Sequence, residues 1–410
     1  MRNVLTYLIF VLIFIFSCNS KSKYSNQIKS DLEYLSSDDL EGRSTGTIGE
    51  KLAYQFISQR FMEIGLEPKG SIGFLHPFSF KPKSHPHEEI KFNDSLKSIG
   101  ITGNNVIGFL NNKSKNTIVI GAHYDHLGYG DDGSLFRDGE NEIHNGADDN
   151  ASGVSLMLDL AAKLIEVNTN NNYLFIAFSG EEMGLLGSNF FVKNSTIDLS
   201  TVNYMINMDM VGRLNSEKSL AVYGLGTSPI FKQTIKSNNE IFKIIENESG
   251  IGPSDHTSFY LQDIPVLHFF TGQHSNYHKP SDDSDLINYE GLDLISNYIF
   301  SIISDLDDNG KLQFRKTKNE SQETPRFKVS LGVIPDYLYD GKGMRIDGVS
   351  QGRPAEKAGF KKGDIVTKLG NSEIEDMMSY MTALSNLKKG DVVKVEFKRN
   401  NKISSKKVTF

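Results

Sequence analysis

Thr117-Ile118-Val119-Ile120-Gly121-Ala122-His123-Tyr124-Asp125-His126 is the stretch that decides how this chain is read. Its opening is a short apolar, β-branched run, the pattern of a buried strand. Beyond it the sequence passes at once to two imidazoles and a carboxylate. The same order recurs downstream. Tyr173–Phe178 reads as a strand and leads to Ser179-Gly180-Glu181-Glu182; Val202–Met208 leads to Asp209 within Asn207-Met208-Asp209-Met210. Pro265–Phe270 is a further buried strand, followed by Tyr277-His278-Lys279-Pro280-Ser281-Asp282-Asp283. Helices fall between the strands. Ala151–Ile165 carries Leu156, Leu160 and Leu164 on one face, and Leu292–Leu306 is an amphipathic closing helix. Near the start, Thr47 and Glu50 have capping-box spacing, Leu52, Phe56, Ile57, Phe61 and Ile64 lie near one face, and Gly65 ends the turn. Strands alternating with helices predict an α/β three-layer sandwich around a largely parallel mixed sheet.

The chain has 410 residues, enough at ~150 per domain for two or three units. A net charge of −7 without a long basic run argues against a nucleic-acid partner held by its phosphates. Arg2 precedes an apolar stretch, Val4–Phe16, which is shorter than the ~20 residues of a membrane span and suits an export signal. Cys18, the only cysteine, ends it, so no internal disulfide framework exists. Ile15-Phe16-Ser17-Cys18 resembles a bacterial lipobox, which implies lipidation of Cys18 and a lipid-anchored protein of the bacterial envelope. The expected organisation is a signal over 1–18, a polar tether over 19–30, a catalytic unit over 31–310, a linker over 311–325 and a smaller unit over 326–410.

Five segments carry the chemistry: the one around His123 and Asp125, Gly146-Ala147-Asp148-Asp149-Asn150-Ala151-Ser152-Gly153, the Glu181-Glu182 pair, the turn around Asp209, and the Tyr277–Asp283 stretch. In an open parallel sheet, loops beyond the carboxyl ends of the strands converge on one crevice. Each segment supplies an imidazole or a carboxylate, the ligands zinc takes. Two histidines and three carboxylates can hold two metals if one carboxylate bridges them. Of two adjacent glutamates, one can bind metal while the other acts as general base. Each segment has an ordinary reading too: consecutive glutamates are usually a solvated face, and Asp-Asp-Asn before a helix is an N-cap, a role Asn150 suits. Their joint occurrence in this order is what argues for a site.

With Asp39-Leu40-Glu41-Gly42-Arg43 and Ser254-Asp255-His256-Thr257-Ser258-Phe259, these segments resemble the M28 family of co-catalytic zinc peptidases from about residue 31 to 306. The resemblance implies two zinc ions, with Asp149 bridging, His123 and Asp209 completing one site, and Glu182 and His278 the other. It implies Glu181 as general base, Asp125 as the carboxylate orienting His123, and Tyr277 as donor to the developing oxyanion. Asp255 would support the base, and Asp283 or its neighbour Asp282 would support His278. Hydrolysis would then need no covalent intermediate; no G-x-S-x-G elbow is present, and the lone cysteine lies in the export signal. Aminopeptidase activity on peptide substrates is the leading expectation. A carboxypeptidase, a dipeptidase, a glutaminyl cyclase or a non-catalytic peptide-binding scaffold remain alternatives. Among the other histidines, His76, His85 and His87 are expected in an exposed loop and His268 in the core; His126, His144, His256 and His274 lie near the motif segments.

The last unit resembles a PDZ domain through Gly352-Arg353-Pro354-Ala355-Glu356-Lys357-Ala358-Gly359-Phe360-Lys361-Lys362-Gly363-Asp364. That resemblance implies a peptide or protein ligand held by the loop Ser330-Leu331-Gly332-Val333 beside a groove helix at Met377–Leu387. The loop departs from the commoner Gly-Leu-Gly-Phe, which bears on carboxylate capture.

Overall fold

The computed structural model describes residues 23–410 except 83–90, 94–95, 97–99, 137–140, 168, 318–328, 337–338, 340 and 350–351. Cys18, His85 and His87 lie outside the described residues. Among the described residues no helix is long and apolar enough to cross a membrane.

Helix α1 (Lys23–Leu35) takes up most of the stretch expected as a tether, because Ile28, Leu32 and Leu35 form an apolar stripe that is fully buried. Helix α2 (Ile48–Ile64) starts at Thr47, whose hydroxyl accepts the Glu50 N–H at 3.3 Å, and stops at Gly65 in the left-handed region. Strands β1 (Glu67–Pro68), β2 (Leu75–Phe80), β3 (Ile101–Leu110) and β4 (Thr117–His123) follow. His76, expected in an exposed loop, is buried in β2 against Phe190 and Phe191. Then come α3 (Gly153–Leu164), β5 (Asn172–Phe178), α4 (Leu186–Lys193), β6 (Val202–Met208), β7 (Ser219–Tyr223), α5 (Phe231–Ser237), β8 (Lys243–Glu246), α6 (His256–Tyr260), β9 (Val266–Phe270) and α7 (Tyr289–Leu306).

The nine strands form one sheet in the order β1-β3-β5-β4-β6-β9-β7-β8, with β2 also on β3. Its centre, β5-β4-β6-β9, is parallel, and antiparallel β3 and β7 flank it. Each central strand is buried along its length, as both faces are covered. In β5, Tyr173, Phe175 and Ala177 pack under α1, α2, α3 and α7, whereas Leu174, Ile176 and Phe178 pack under α4 and α6. This alternation is the three-layer sandwich that the sequence pattern predicts. Truncating a side chain such as fully buried Phe175 to alanine would cost ~3–5 kcal/mol.

Residues 311–317, expected as free linker, are fastened to this body. The Leu312 amide donates to Asn203 Oδ1 at 2.6 Å, that of Arg315 to the Thr227 carbonyl at 2.8 Å, and that of Thr317 to the Tyr260 hydroxyl at 3.0 Å.

The C-terminal unit is a small antiparallel sheet with its own core. Its strands are β10 (Val333–Pro335), β11 (Met344–Val349), β12 (Ile365–Leu369), β13 (Ser372–Glu373), β14 (Val392–Arg399) and β15 (Lys402–Thr409). Helices α8 (Pro354–Ala358) and α9 (Met377–Ser385) complete it. Leu331 of the expected binding loop is buried, its carbonyl accepting the Ala355 N–H at 2.8 Å, and Gly332 adopts φ +77. Ser330 Oγ accepts the Gly332 N–H at 3.0 Å, and Val333 opens β10.

Candidate active site

Strand register brings the donors together. Gly121 of β4 lies beside Asn207 of β6, so two residues on His123 faces Asp209. Phe178 of β5 lies beside His123, which sets Glu181 and Glu182 just past the same sheet edge. Asp149 reaches that edge from the turn before α3, and His278 from the loop after β9.

The distances fall into two sets that share one carboxylate. His123 Nε2 is 3.3 Å from Asp149 Oδ1 and 3.4 Å from Asp209 Oδ1. His278 Nε2 is 3.2 Å from Asp149 Oδ2 and 3.2 Å from Glu182 Oε2. Zinc binds nitrogen and oxygen at ~2.0–2.1 Å, so two donors at tetrahedral corners lie ~3.3–3.4 Å apart. The observed spacings match that edge and exceed the usual 2.7–2.9 Å of a charge-assisted hydrogen bond. The donors therefore fit two cations bridged by Asp149.

Both rings turn Nε2 inward because Nδ1 has a backbone acceptor. His123 Nδ1 lies 3.2 Å from the Asp125 carbonyl, and His278 Nδ1 lies 3.0 Å from the Gly133 carbonyl. Neither Asp282 nor Asp283 supports His278, which corrects that expectation. Asp282 is fully buried and its Oδ2 accepts the N–H groups of Asp148 at 3.0 Å and Asp149 at 3.1 Å, while Asp283 Oδ1 accepts from Asn145 at 3.0 Å. Asp282 thus holds the turn that presents the bridging carboxylate. The Asp125 carboxylate stands 3.8 Å from His123 Nδ1, beyond hydrogen-bond range; it accepts instead from the Glu181 N–H at 3.1 Å and the Thr45 hydroxyl at 3.2 Å. Asn150 Oδ1 accepts from Gly153 N–H at 3.0 Å and Met210 N–H at 3.2 Å, stitching the start of α3 to the end of β6.

Below these loops lies Arg43, fully buried and bonded to backbone carbonyls among the described residues: Tyr124 at 2.7 Å, Asn145 at 2.6 Å, Gly146 at 3.1 Å, and Leu35. One cation thereby ties three segments together and sets a positive charge beneath Asp125, Asp149, Asp282 and Glu182. Glu50, read from sequence only as a helix cap, is a buried hub that accepts from Gly46, Asn104, Tyr124 and Ser179. Burial pushes its pKa up to about 7.

Burial also raises the Glu181 carboxyl well above the ordinary range, and the charges of Asp209, Glu182 and Asp255 add to this against His123. For Glu182, burial raises the carboxyl, but the His278 charge and hydrogen bonds from His126 and His278 outweigh it and bring it to about 2. The surroundings of the two neighbouring glutamates thus push their carboxyls in opposite directions. Asp255 is fully buried, with its pKa pushed up to about 7 by burial. Tyr277 lies on the cavity, its ring stacked on His278 at 3.8 Å. That cavity is walled beside the donors by Met210, Tyr223, Pro253, His268, Phe270 and Tyr277.

Sequence reasoning left His126 and His274 among unassigned histidines. His126 Nδ1 is 2.8 Å from Glu182 Oε1, and His274 Nε2 is 3.1 Å from Asp148 Oδ2. The His123-x-x-His126 and His274-x-x-x-His278 spacings and the Asp-Asp pairs were the available signal, but which member faces the site is set by tertiary contacts.

Fold and site together are a parallel-centred three-layer sandwich with donors for two cations at its strand ends. Residues 105–303 match peptidase family M28, and residues 312–409 match the PDZ domain. The chain therefore joins an M28 peptidase domain to a PDZ domain. It is 32% identical over 187 residues to a probable leucine aminopeptidase of Trichophyton verrucosum, covering 43% of this chain and 46% of that one. It thus spans about half the length of the curated relatives it matches. The fold is shared with a zinc aminopeptidase from Bacillus subtilis (TM-score 0.54, 18% identity, 73% of this chain and 96% of that one). It is shared equally with a glutaminyl cyclase from Bacteroides thetaiotaomicron (TM-score 0.53, 17% identity, 68% and 97%).

Proposed function

We propose that this chain is a two-zinc aminopeptidase, anchored to the bacterial envelope through Cys18 and carrying a PDZ domain for peptide or protein capture. The observation that carries the reading is the division of Asp149: one oxygen belongs to the His123–Asp209 set and the other to the Glu182–His278 set. When bound there, a pair of zinc ions supplies a polarised scissile carbonyl and an acidified water. The chain's own residues do the rest. Glu181, beside the two sets and raised in pKa, takes the water's proton and returns it to the departing amine. Tyr277, on the cavity wall, donates to the oxygen that gains charge. The apolar wall of Met210, Tyr223 and Phe270 receives the first side chain of the peptide. The names of curated relatives support the choice of a free N-terminus over other peptide bonds.

The test is hydrolysis of free and N-acetylated peptides by the metal-loaded full chain against Glu181→Gln. We expect stepwise loss of N-terminal residues, survival of acetylated peptides, and an inactive variant that retains two metals. Wild-type chain that binds two metals yet cuts nothing in the panel would overturn the aminopeptidase reading. The mass of the mature N-terminus tests the anchor: a diacylated Cys18 is expected, and an unmodified chain beginning elsewhere would rule it out.

A further inference from the structure

Two imidazoles face the second cation site, and their distances set them apart. His278 Nε2 stands 3.2 Å from an oxygen of Asp149 and 3.2 Å from one of Glu182, the spacing of donors around one ion. His126 Nδ1 stands 2.8 Å from Glu182 Oε1 and 3.9 Å from Asp149 Oδ2. The first of these is a hydrogen-bond length and too short for the ~3.3 Å edge of a zinc tetrahedron; the second is too long for one. His126, Asp149 and Glu182 cluster as closely as a metal site does, yet the geometry makes His126 a donor to a ligand.

We infer that His126 is the positioning residue of Glu182, an inference that rests on Glu182 being a metal ligand. Its Nδ1–H binds Oε1 and turns Oε2 alone toward His278 and Asp149. Glu182 is thereby restricted to one oxygen at the site, which keeps it from closing the site around both. Three further observations hold the ring in this role. The side chain is fully enclosed, and its Nε2 is buried without a hydrogen-bond partner among the described residues. A proton on Nε2 would leave an unpaired buried donor, so the Nδ1–H tautomer is the one the surroundings accept. Behind the ring, Gly146 approaches so closely that a Cβ there would lie 2.5 Å from His126 Cδ2, and the ring has no room to swing away.

The experiment is zinc titration of the full apo chain in detergent by calorimetry, comparing wild type with His126→Leu and His126→Asn. Asparagine places an N–H where Nδ1 stands; leucine places none. We expect two sites in wild type. Leucine should weaken one of them by about 10–100-fold, the range for loss of a hydrogen-bonding neighbour of a ligand, with the other within about twofold. Asparagine should restore the weakened site to within about threefold of wild type. Equal loss at both sites in His126→Leu, or no loss at either, would overturn the inference, and so would failure of asparagine to restore what leucine loses. A wild type that binds fewer than two ions would instead overturn the two-metal reading beneath it. Should the variants fail to fold, imidazole ¹⁵N shifts of the wild type decide: an Nε2–H tautomer at His126 refutes the role.

Discussion

Substituting Gly146 by alanine should disable the site while leaving all five proposed metal ligands in the sequence. Gly146 has φ +54 and ψ 52, so a side chain there costs ~1–2 kcal/mol for the left-handed backbone alone. The added Cβ would also lie 2.1 Å from the Asp149 carbonyl oxygen and 2.5 Å from the His126 ring. Relieving the first contact needs a shift of about 1 Å in the backbone of the residue that bridges the two donor sets, and a misplacement of that size costs ~10²-fold in rate. The backbone cannot yield freely, because the Asp149 N–H is held by buried Asp282 and the Gly146 carbonyl by Arg43. Strain and contact together should destabilise the domain by ~2–4 kcal/mol. The assay is kcat at saturating zinc alongside urea unfolding of the apo chain. A Gly146→Ala enzyme with kcat within threefold of wild type would show that the turn is soft, and would refute the claim that it presents Asp149 rigidly.

Other outcomes follow from the same contacts. Asp282→Ala strips two buried N–H groups of their acceptor and should cost ~2–4 kcal/mol in urea unfolding, with weaker zinc binding, whereas Asp283→Ala should change neither beyond ~0.5 kcal/mol; equal effects would contradict the assignment. Burial lowers His76 and His268 to about 4, below their ordinary 6.5, so each stabilises the neutral-pH fold and that stability drains away as pH falls from about 6.5 through 4. Glu50 and Asp255, raised to about 7, pull the other way, so the check is a difference: relative to wild type, leucine at either histidine should raise the urea midpoint of the chelated chain at pH 5 more than at pH 7.5. In the PDZ domain, Arg399 holds buried Asp364 through two bonds of 2.5 and 2.6 Å; Arg399→Met should lower that domain's unfolding free energy by ~2–4 kcal/mol and leave zinc affinity unchanged.

The legible parts of this molecule were those whose signals are local. Thr47 and Gly65 bracket α2 because a cap acts within one turn, and the buried central strands announce themselves as unbroken apolar runs. Strand β3 did not, since Gly103, Asn104, Asn105 and Gly108 interrupt its pattern. Asn105 is fully buried all the same, its amide joined to the Ser179 N–H and the Gly187 carbonyl, contacts 74 and 82 residues away in the chain. His76 shows the same limit: its Pro- and Lys-rich neighbourhood reads as loop, and only the aromatic rings of α4 make it a core residue. At the site, residue type and order on strand ends pointed to the donors. Which of two adjacent aspartates is buried, and whether a nearby imidazole binds metal or a ligand, are settled by distances of an ångström or less that no spacing encodes.

The sewn-down segment 311–317 has a consequence for reach. Because Thr317 is bonded to Tyr260, the connection to the PDZ domain starts from that point rather than from the end of α7. Eleven residues lie between Thr317 and Val329, so the two are at most ~40 Å apart. A peptide captured by the PDZ domain would thus be confined to a small volume around the catalytic body, at an effective concentration on the order of millimolar. At that level, a substrate with weak intrinsic affinity for the cleft would still keep it occupied.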